Sequence, residues 1–294
     1  MQLGKGSHAV DAPEVRDAIL RVRDLPTLPS VLGKILSTAA DPDSSALDLG
    51  KLIASDQSLS ATLLKLVNSA YYGFYRQIKS VTQAIVMLGF NEARNLTLTA
   101  TAFRTLKASS SDYDRNQLWR HTLATAMAAE QCAKRKKLSI GGAFEAGLLH
   151  DIGKVAFDTL YPEQFLRAAH RAHEQQKRIA ETEQELFGID HAEVGGLLGE
   201  HWNLPPSVVE AIRHHHTPEQ ATLEPDLTAL TAVANHITYS AELGESSNSK
   251  PPAFPEAAAE RLGITADDCQ TVADSLRENE EQINEVVGTI RENA

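Results

Sequence analysis

Eleven histidines are spread unevenly along the 294 residues, and one sits beside a carboxylate in an apolar run, AGLLHDIGKVAF, Ala146 to Phe157. A hydrophobic core has no use for His150 next to Asp151. A divalent cation does, because neutral imidazole and carboxylate are ligands that first-row metals favour. Other histidines fall at positions that also point inward. His121 shares a helix face with Leu118, Thr125, Ala128 and Cys132, at the three- and four-residue steps that place side chains together. Alone, it reads as a core histidine with one hydrogen bond. His191 follows Asp190, a capping residue, with Glu193 completing a pattern like a capping box, and shares its face with Val194 and Leu198. His215 and His216 close a helix whose Val208, Val209 and Ile212 form the buried stripe, while His214 is expected to face outward with Glu210. Several buried imidazoles would each need a polar partner; a metal ion satisfies them together. Lys154, three residues after Asp151, reads either as a solvated cation at a helix end or as a contact for a substrate phosphate.

The elements that must carry these side chains read as helices throughout, and no segment shows convincing strand alternation. The expected fold is all-α. A first helix runs from about Pro13 to Arg23. Pro29 opens another, which Asp41-Pro42 ends. SSALDLGKLIASD is a short helix with a serine cap. The next carries Leu59, Leu63, Leu66 and Val67 on one stripe and ends at Gly73. Gly89 then separates a short helix from a longer one. The polar stretch KASSSDYDRN, Lys107 to Asn116, marks a boundary. Helices follow over about Gln117–Lys134, across Ala143 to His150 and Asp151, through YPEQFLRAAHRAHEQQ, from His191, up to His216, and over about Asp226–Leu243. GESSNSKPPAFPE reads as a loop. A last helix spans roughly Ala266–Glu292, with polar Asn279 interrupting its apolar spacing. It is expected to pack on its own domain rather than form a coiled-coil seam, because the pattern is short and broken.

Bulk properties narrow the function. The formal net charge of -11 argues against binding nucleic acid. The basic run Lys134–Lys137 fits the C-terminal end of a helix dipole. The two cysteines, Cys132 and Cys269, lie far apart with no CxxC, which suggests neither a disulfide framework nor a zinc ribbon. The first residues, MQLGKGSHAVDAPEV, lack an apolar signal region, and no apolar run is long enough to span a bilayer. The expectation is a cytoplasmic protein with no membrane partner.

The order His121, His150-Asp151, His191, His215-His216 resembles the HD superfamily of metal-dependent phosphohydrolases, and GLLHDIGK is similar to that family's signature. LPTLPSVLGKIL, IASDQSLSATLLKLVNSAYYGF, IKSVTQAIVMLGFNEARNL and HAEVGGLLGEHWNLPPSVVEAIRHHHTPE resemble the HDOD group, the HD-related output domain, over roughly Leu25 to Leu243. The resemblance implies an HD-like helical bundle with an N-terminal helical subdomain. It divides the chain into that subdomain over 1–110, a metal-binding subdomain over 111–245, and a loop with a C-terminal helical extension over 246–294. It implies a bacterial signalling output module that keeps one or two divalent ions (iron, manganese, zinc or nickel) and is weakly catalytic or non-catalytic. The alternative is an active phosphohydrolase on a nucleotide or phosphodiester, with Asp151 and Lys154 catalytic. Carried over, His121, His150 and Asp151 hold one ion, and Asp151, His191, His215 and His216 a second. Asn235 stands where related enzymes carry a further Asp for the first ion; as a candidate ligand its amide offers a carbonyl oxygen but brings no charge. His236 is adjacent but about 100° away around a helix. Gln117 replaces a Glu of some relatives. TPEQATLEPD, after His216, has no Gly-Tyr-Pro, which argues against cyclic-dinucleotide phosphodiesterases of the HD-GYP type. Signalling protein partners and a nucleotide or phosphate ligand are the expected interactions. Near Asn68–Tyr71 the chain is expected to dock on the bundle.

Overall fold

Local sequence signals open the helices of the computed structural model, which describes residues 15, 17–18, 30–40, 44–69, 71–105, 113–244 and 251–292. Most of the helix expected over Pro13–Arg23, and the boundary segment up to residue 112, lie outside these. Among the described residues the regular structure is helical, as expected, with no strand. The first helices pack on one another: α1 (Ser30–Ala40), α2 (Ala46–Ala54), α3 (Gln57–Val67), α4 (Val81–Leu88) and α5 (Phe90–Thr105). Ser45 and Asp48 cap α2 reciprocally, each side chain accepting from the other's backbone N–H. Asp56 accepts from Leu59 N–H at the start of α3. Leu59, Leu63, Leu66 and Val67 are buried as a stripe, but α3 stops at Val67 rather than at Gly73. The reason is Asn68, whose side chain donates to Leu64 O and Ile78 O and accepts from Ile78 N–H. It turns the chain before the glycine is reached.

A second set of helices follows: α6 (Arg115–Lys136), α7 (Ala143–Leu149), α8 (Ile152–Leu160), α9 (Pro162–Gln175), α10 (Ile179–Phe187), α11 (His191–His201), α12 (Pro206–His214) and α13 (Pro225–Ser240). The long α6 packs against α7 and α13, and α11 packs against both α8 and α12. Two glycines set how closely. A Cβ on Gly147 would lie 2.6 Å from Ala126 Cα, and one on Gly153 would lie 2.0 Å from His191 O. Only a residue without a Cβ admits backbone at that range. The first contact presses α7 onto α6, the second α8 onto α11.

The expected C-terminal helix is two helices. After α14 (Glu256–Leu262), α15 (Ala266–Glu278) ends at Asn279 and α16 (Glu280–Glu292) begins. Asn279 donates its backbone N–H to Ser275 O and Leu276 O, donates its amide to Ser275 O, and accepts from the Tyr71 hydroxyl at 3.2 Å. The interruption in the apolar spacing is therefore a helix end. Thr265 and Asp268 form a capping box on α15, and Asp268 also pairs with Arg135 and Lys136, at 2.7 and 3.0 Å, in the basic last turn of α6. Ile283, Val286 and Ile290 are buried where α16 packs on α3, α5 and α6. Lys65–Glu292 and Arg120–Glu280 ion pairs, at 2.8 and 2.7 Å, flank this contact. The segment at Tyr71 meets α16, its N–H donating to Glu285 at 3.2 Å.

Candidate metal centre

His150 and Asp151 lie at the junction of α7 and α8: His150 is the last cap of one and Asp151 the first of the other. The pair therefore falls between two helices rather than within one, where the chain turns and both side chains can face a common interior. Gly147 and Gly153 flank the junction and bring in α6 with His121 and α11 with His191. The end of α12 supplies His215 and His216, and α13 supplies Asn235. His121, His150 and His191 have no exposure, Asp151, His215 and Asn235 are buried, and His216 is half-buried.

Asp151 uses its two oxygens on two groups. Oδ1 lies 3.1 Å from His191 Nε2 and 3.7 Å from His215 Nε2. Oδ2 lies 2.7 Å from Lys154 Nζ, 3.4 Å from His150 Nε2 and 3.9 Å from His121 Nε2. Two sets of three side chains, His121/His150/Asp151 and His191/His215/His216, each bring one ligand atom apiece within 4.8 Å of one another. The nitrogens away from the centre are tied down. His150 Nδ1 donates to Gly147 O at 2.8 Å, His215 Nδ1 to Ile212 O at 2.7 Å and His191 Nδ1 to Glu183 at 2.6 Å. Such bonds fix the tautomer of His150 and His215 and leave Nε2 of each with its lone pair toward the centre. There, His150 Nε2, His215 Nε2 and Asp151 Oδ1 are buried with no hydrogen-bond partner. Buried polar atoms without partners are costly, and unpartnered lone pairs of this kind fit a cation.

The electrostatics favour neutral imidazoles around one anion. Burial pushes His121 down to about 3. Burial, then the neighbouring imidazoles, push His215 and His216 well below the ordinary histidine value. Burial would raise Asp151, but the His150 ring, the Lys154 ammonium and the His191 ring beside it outweigh that and hold the carboxyl well below 3.8. His191 is the exception. Burial works against its protonation, yet the Glu183 carboxylate prevails over it and lifts the ring to about 9.

Some positions differ from their sequence-based expectations. Lys154 is not a solvated cation: it is among the largest fully buried side chains and bonds Asp151. Glu210 does not face outward with His214. It is buried, and its carboxylate accepts from the backbone N–H groups of Thr222, Leu223 and Glu224. Asp190 does cap α11, but Glu193 accepts from Arg213 at 3.0 Å instead of closing a capping box. Asn235 accepts from His121 Nε2 at 3.0 Å. His236 turns away to Pro252 O, and Gln117 accepts from Arg120. Glu183, buried behind His191, escaped the sequence reading. Its one signal is position: a carboxylate four residues from both Ile179 and Phe187, on the buried face of α10.

An all-helical bundle with a His-Asp pair at a helix junction and further histidines converging on that aspartate defines an HD-type domain. The HDOD domain model matches residues 25–218. An uncharacterised protein of Treponema pallidum (strain Nichols) is 34% identical over 218 residues, 73% of this chain; the match spans 42% of that relative's length. The crystal structure of an HDOD domain protein of unknown function from Geobacter sulfurreducens superimposes with a TM-score of 0.77 at 26% identity, covering 96% of this chain and 99% of that one. A candidate signal transduction protein from Marinobacter aquaeolei VT8 shares the fold, with a TM-score of 0.78 at 21% identity over 95% of this chain and 65% of its own. The chain belongs to the HDOD family.

Proposed function

We propose that the chain is a cytoplasmic signal-transduction output module whose HD-like bundle is built around a resident divalent metal, and that it turns over no substrate. The convergence of orphaned ligand atoms on Asp151 carries the metal part of the reading. The site's enclosure supports the rest. Catalytic metal sites keep a position open to water or substrate. Here the ligand side chains are buried except for half-buried His216. The cavities of about 590 and 730 Å³ between α5, α6 and their neighbours are lined by none of them. Lys154, the group that would meet a substrate phosphate, is spent on Asp151. A bound metal would supply Lewis acidity there, and the one ligand with partial exposure is His216. Surfaces away from the site would meet a signalling protein partner. No described helix is long and apolar enough to cross a membrane.

The test is elemental analysis of protein purified without chelator, alongside Asp151→Ala. The expected result is bound iron, manganese, zinc or nickel in the wild type and none in the variant. A metal-free wild type overturns the metal reading. Turnover of any phosphodiester or nucleotide with added manganese, lost in Asp151→Ala, overturns the non-catalytic reading.

A further inference from the structure

We propose that the chain holds one metal ion, on His191, His215, His216 and Asp151 Oδ1, and that the Lys154 ammonium serves as the resident cation of the other half of the site. The inference rests on the metal reading above and adds the number of ions and the residue that limits it.

The two oxygens of Asp151 are not equivalent. Oδ1 faces His191 and His215 and has no hydrogen-bond partner. The separations there are 3.1 Å from Oδ1 to His191 Nε2, 3.7 Å from Oδ1 to His215 Nε2 and 3.0 Å between His191 Nε2 and His216 Nε2. Ligands about 2.1 Å from a tetrahedral ion stand about 3.4 Å apart, and the observed values bracket that spacing. His191 and His215 each spend Nδ1 on an outer acceptor, so both present Nε2. Glu183 adds a second negative charge behind His191. Two carboxylates among imidazoles match a divalent ion.

Oδ2 is already matched. Lys154 Nζ sits 2.7 Å from it in a buried ion pair. A divalent ion on the same oxygen would stand next to the ammonium, with no bulk water between to screen the repulsion. The nitrogen ligand is committed as well. His121 Nε2 faces Asn235 Oδ1 at 3.0 Å, so it carries the proton and donates it, and an ion on that nitrogen would have to break this bond. An Asp at 235 would bring a charge to hold a cation; the amide brings none. Lys154 and Asn235 together commit Asp151 Oδ2 and His121 Nε2 to an ion pair and a hydrogen bond.

Zinc alone, added to the metal-free full chain and dialysed, reads the count by elemental analysis. Wild type is expected to bind one ion per chain. No ion overturns the metal reading itself; two ions overturn this inference and leave that reading intact. His121→Ala is expected to keep one ion, and His191→Ala to lose it. The reverse assignment overturns the proposal. Lys154→Met with Asn235→Asp, which removes the ammonium and restores a carboxylate, is expected to raise the count from one to two. Circular dichroism and a thermal transition establish that each variant is folded. A folded double variant that still binds one ion refutes Lys154 as the limiting group.

Discussion

Replacing Glu183 by Gln should weaken metal binding, but by an amount that depends on pH. Glu183 Oε2 accepts from both His191 Nδ1, at 2.6 Å, and His191 N–H, at 2.8 Å. Gln keeps the shape and an acceptor and loses the charge. Loss of a carboxylate behind a ligating histidine costs about 10- to 100-fold in affinity. The same carboxylate, however, raises His191 to about 9 in the metal-free protein. At pH 7 the ring then carries a proton that an ion must displace, a handicap of roughly 100-fold. In Glu183→Gln burial prevails, the proton is gone at pH 7, and so is the handicap. The two effects nearly cancel at pH 7. At pH 9.5 only the loss remains, about 10- to 100-fold. Zinc titration against a competing chromogenic chelator at both pH values measures this. Wild-type affinity should climb roughly tenfold per pH unit up to about 9, and the variant's should stay flat. An equal deficit at both pH values would refute the placement of the proton on His191. No deficit at pH 9.5 would refute a supporting role for Glu183. The sign for folding follows. His191 is raised from 6.5 to about 9 in the metal-free protein, so its contribution to stability is full below about pH 6.5 and is lost as pH rises through about 9.

Other outcomes follow from packing and charge. Gly153→Ala places a methyl 2.0 Å from the His191 carbonyl; since backbone cannot yield, it should destabilise by about 3 kcal/mol or more. Gly288→Ala, with nothing within 4 Å of the added carbon, should instead be neutral or gain up to about 1 kcal/mol. Urea midpoints compare the two, and equal midpoints would discount the close approach of α8 and α11. Glu210→Gln should cost about 1–3 kcal/mol, because three backbone N–H groups lose a charged acceptor. Burial raises the Glu210 carboxyl, but those bonds outweigh it and hold it below 4.5. Its advantage over Gln is therefore present above about pH 4.5 and lost as pH falls through the folded value. A gap in urea midpoint that persists unchanged at pH 3 would contradict this.

The helices were legible because 3.6-residue periodicity is a local signal, and the capping residues Ser45, Asp56 and Asp190 act within one turn. His121 and His191 stood out for the same reason, each on an apolar face, while His150 stood out by its pairing with Asp151 and His215-His216 by closing a helix with a buried stripe. What stayed hidden depends on distant partners. Lys154 sits near a helix start, where sequence favours solvent, and its burial depends on partners such as Asp151 that local sequence does not show. Glu210 looks like an outward residue until residues 222–224 fold over it. Glu183 is one carboxylate among several on α10, and the histidine it serves lies on the next helix. Asn279 broke an apolar pattern, but that it ends one helix depends on its bonds to Ser275 and Leu276.

The burial of the ligand side chains also bears on time. Exchange with the surrounding pool requires an opening, and half-buried His216 is the ligand nearest to offering one. An ion held on these residues would leave no faster than the end of α12 opens, a rate set by the protein rather than by the concentration outside.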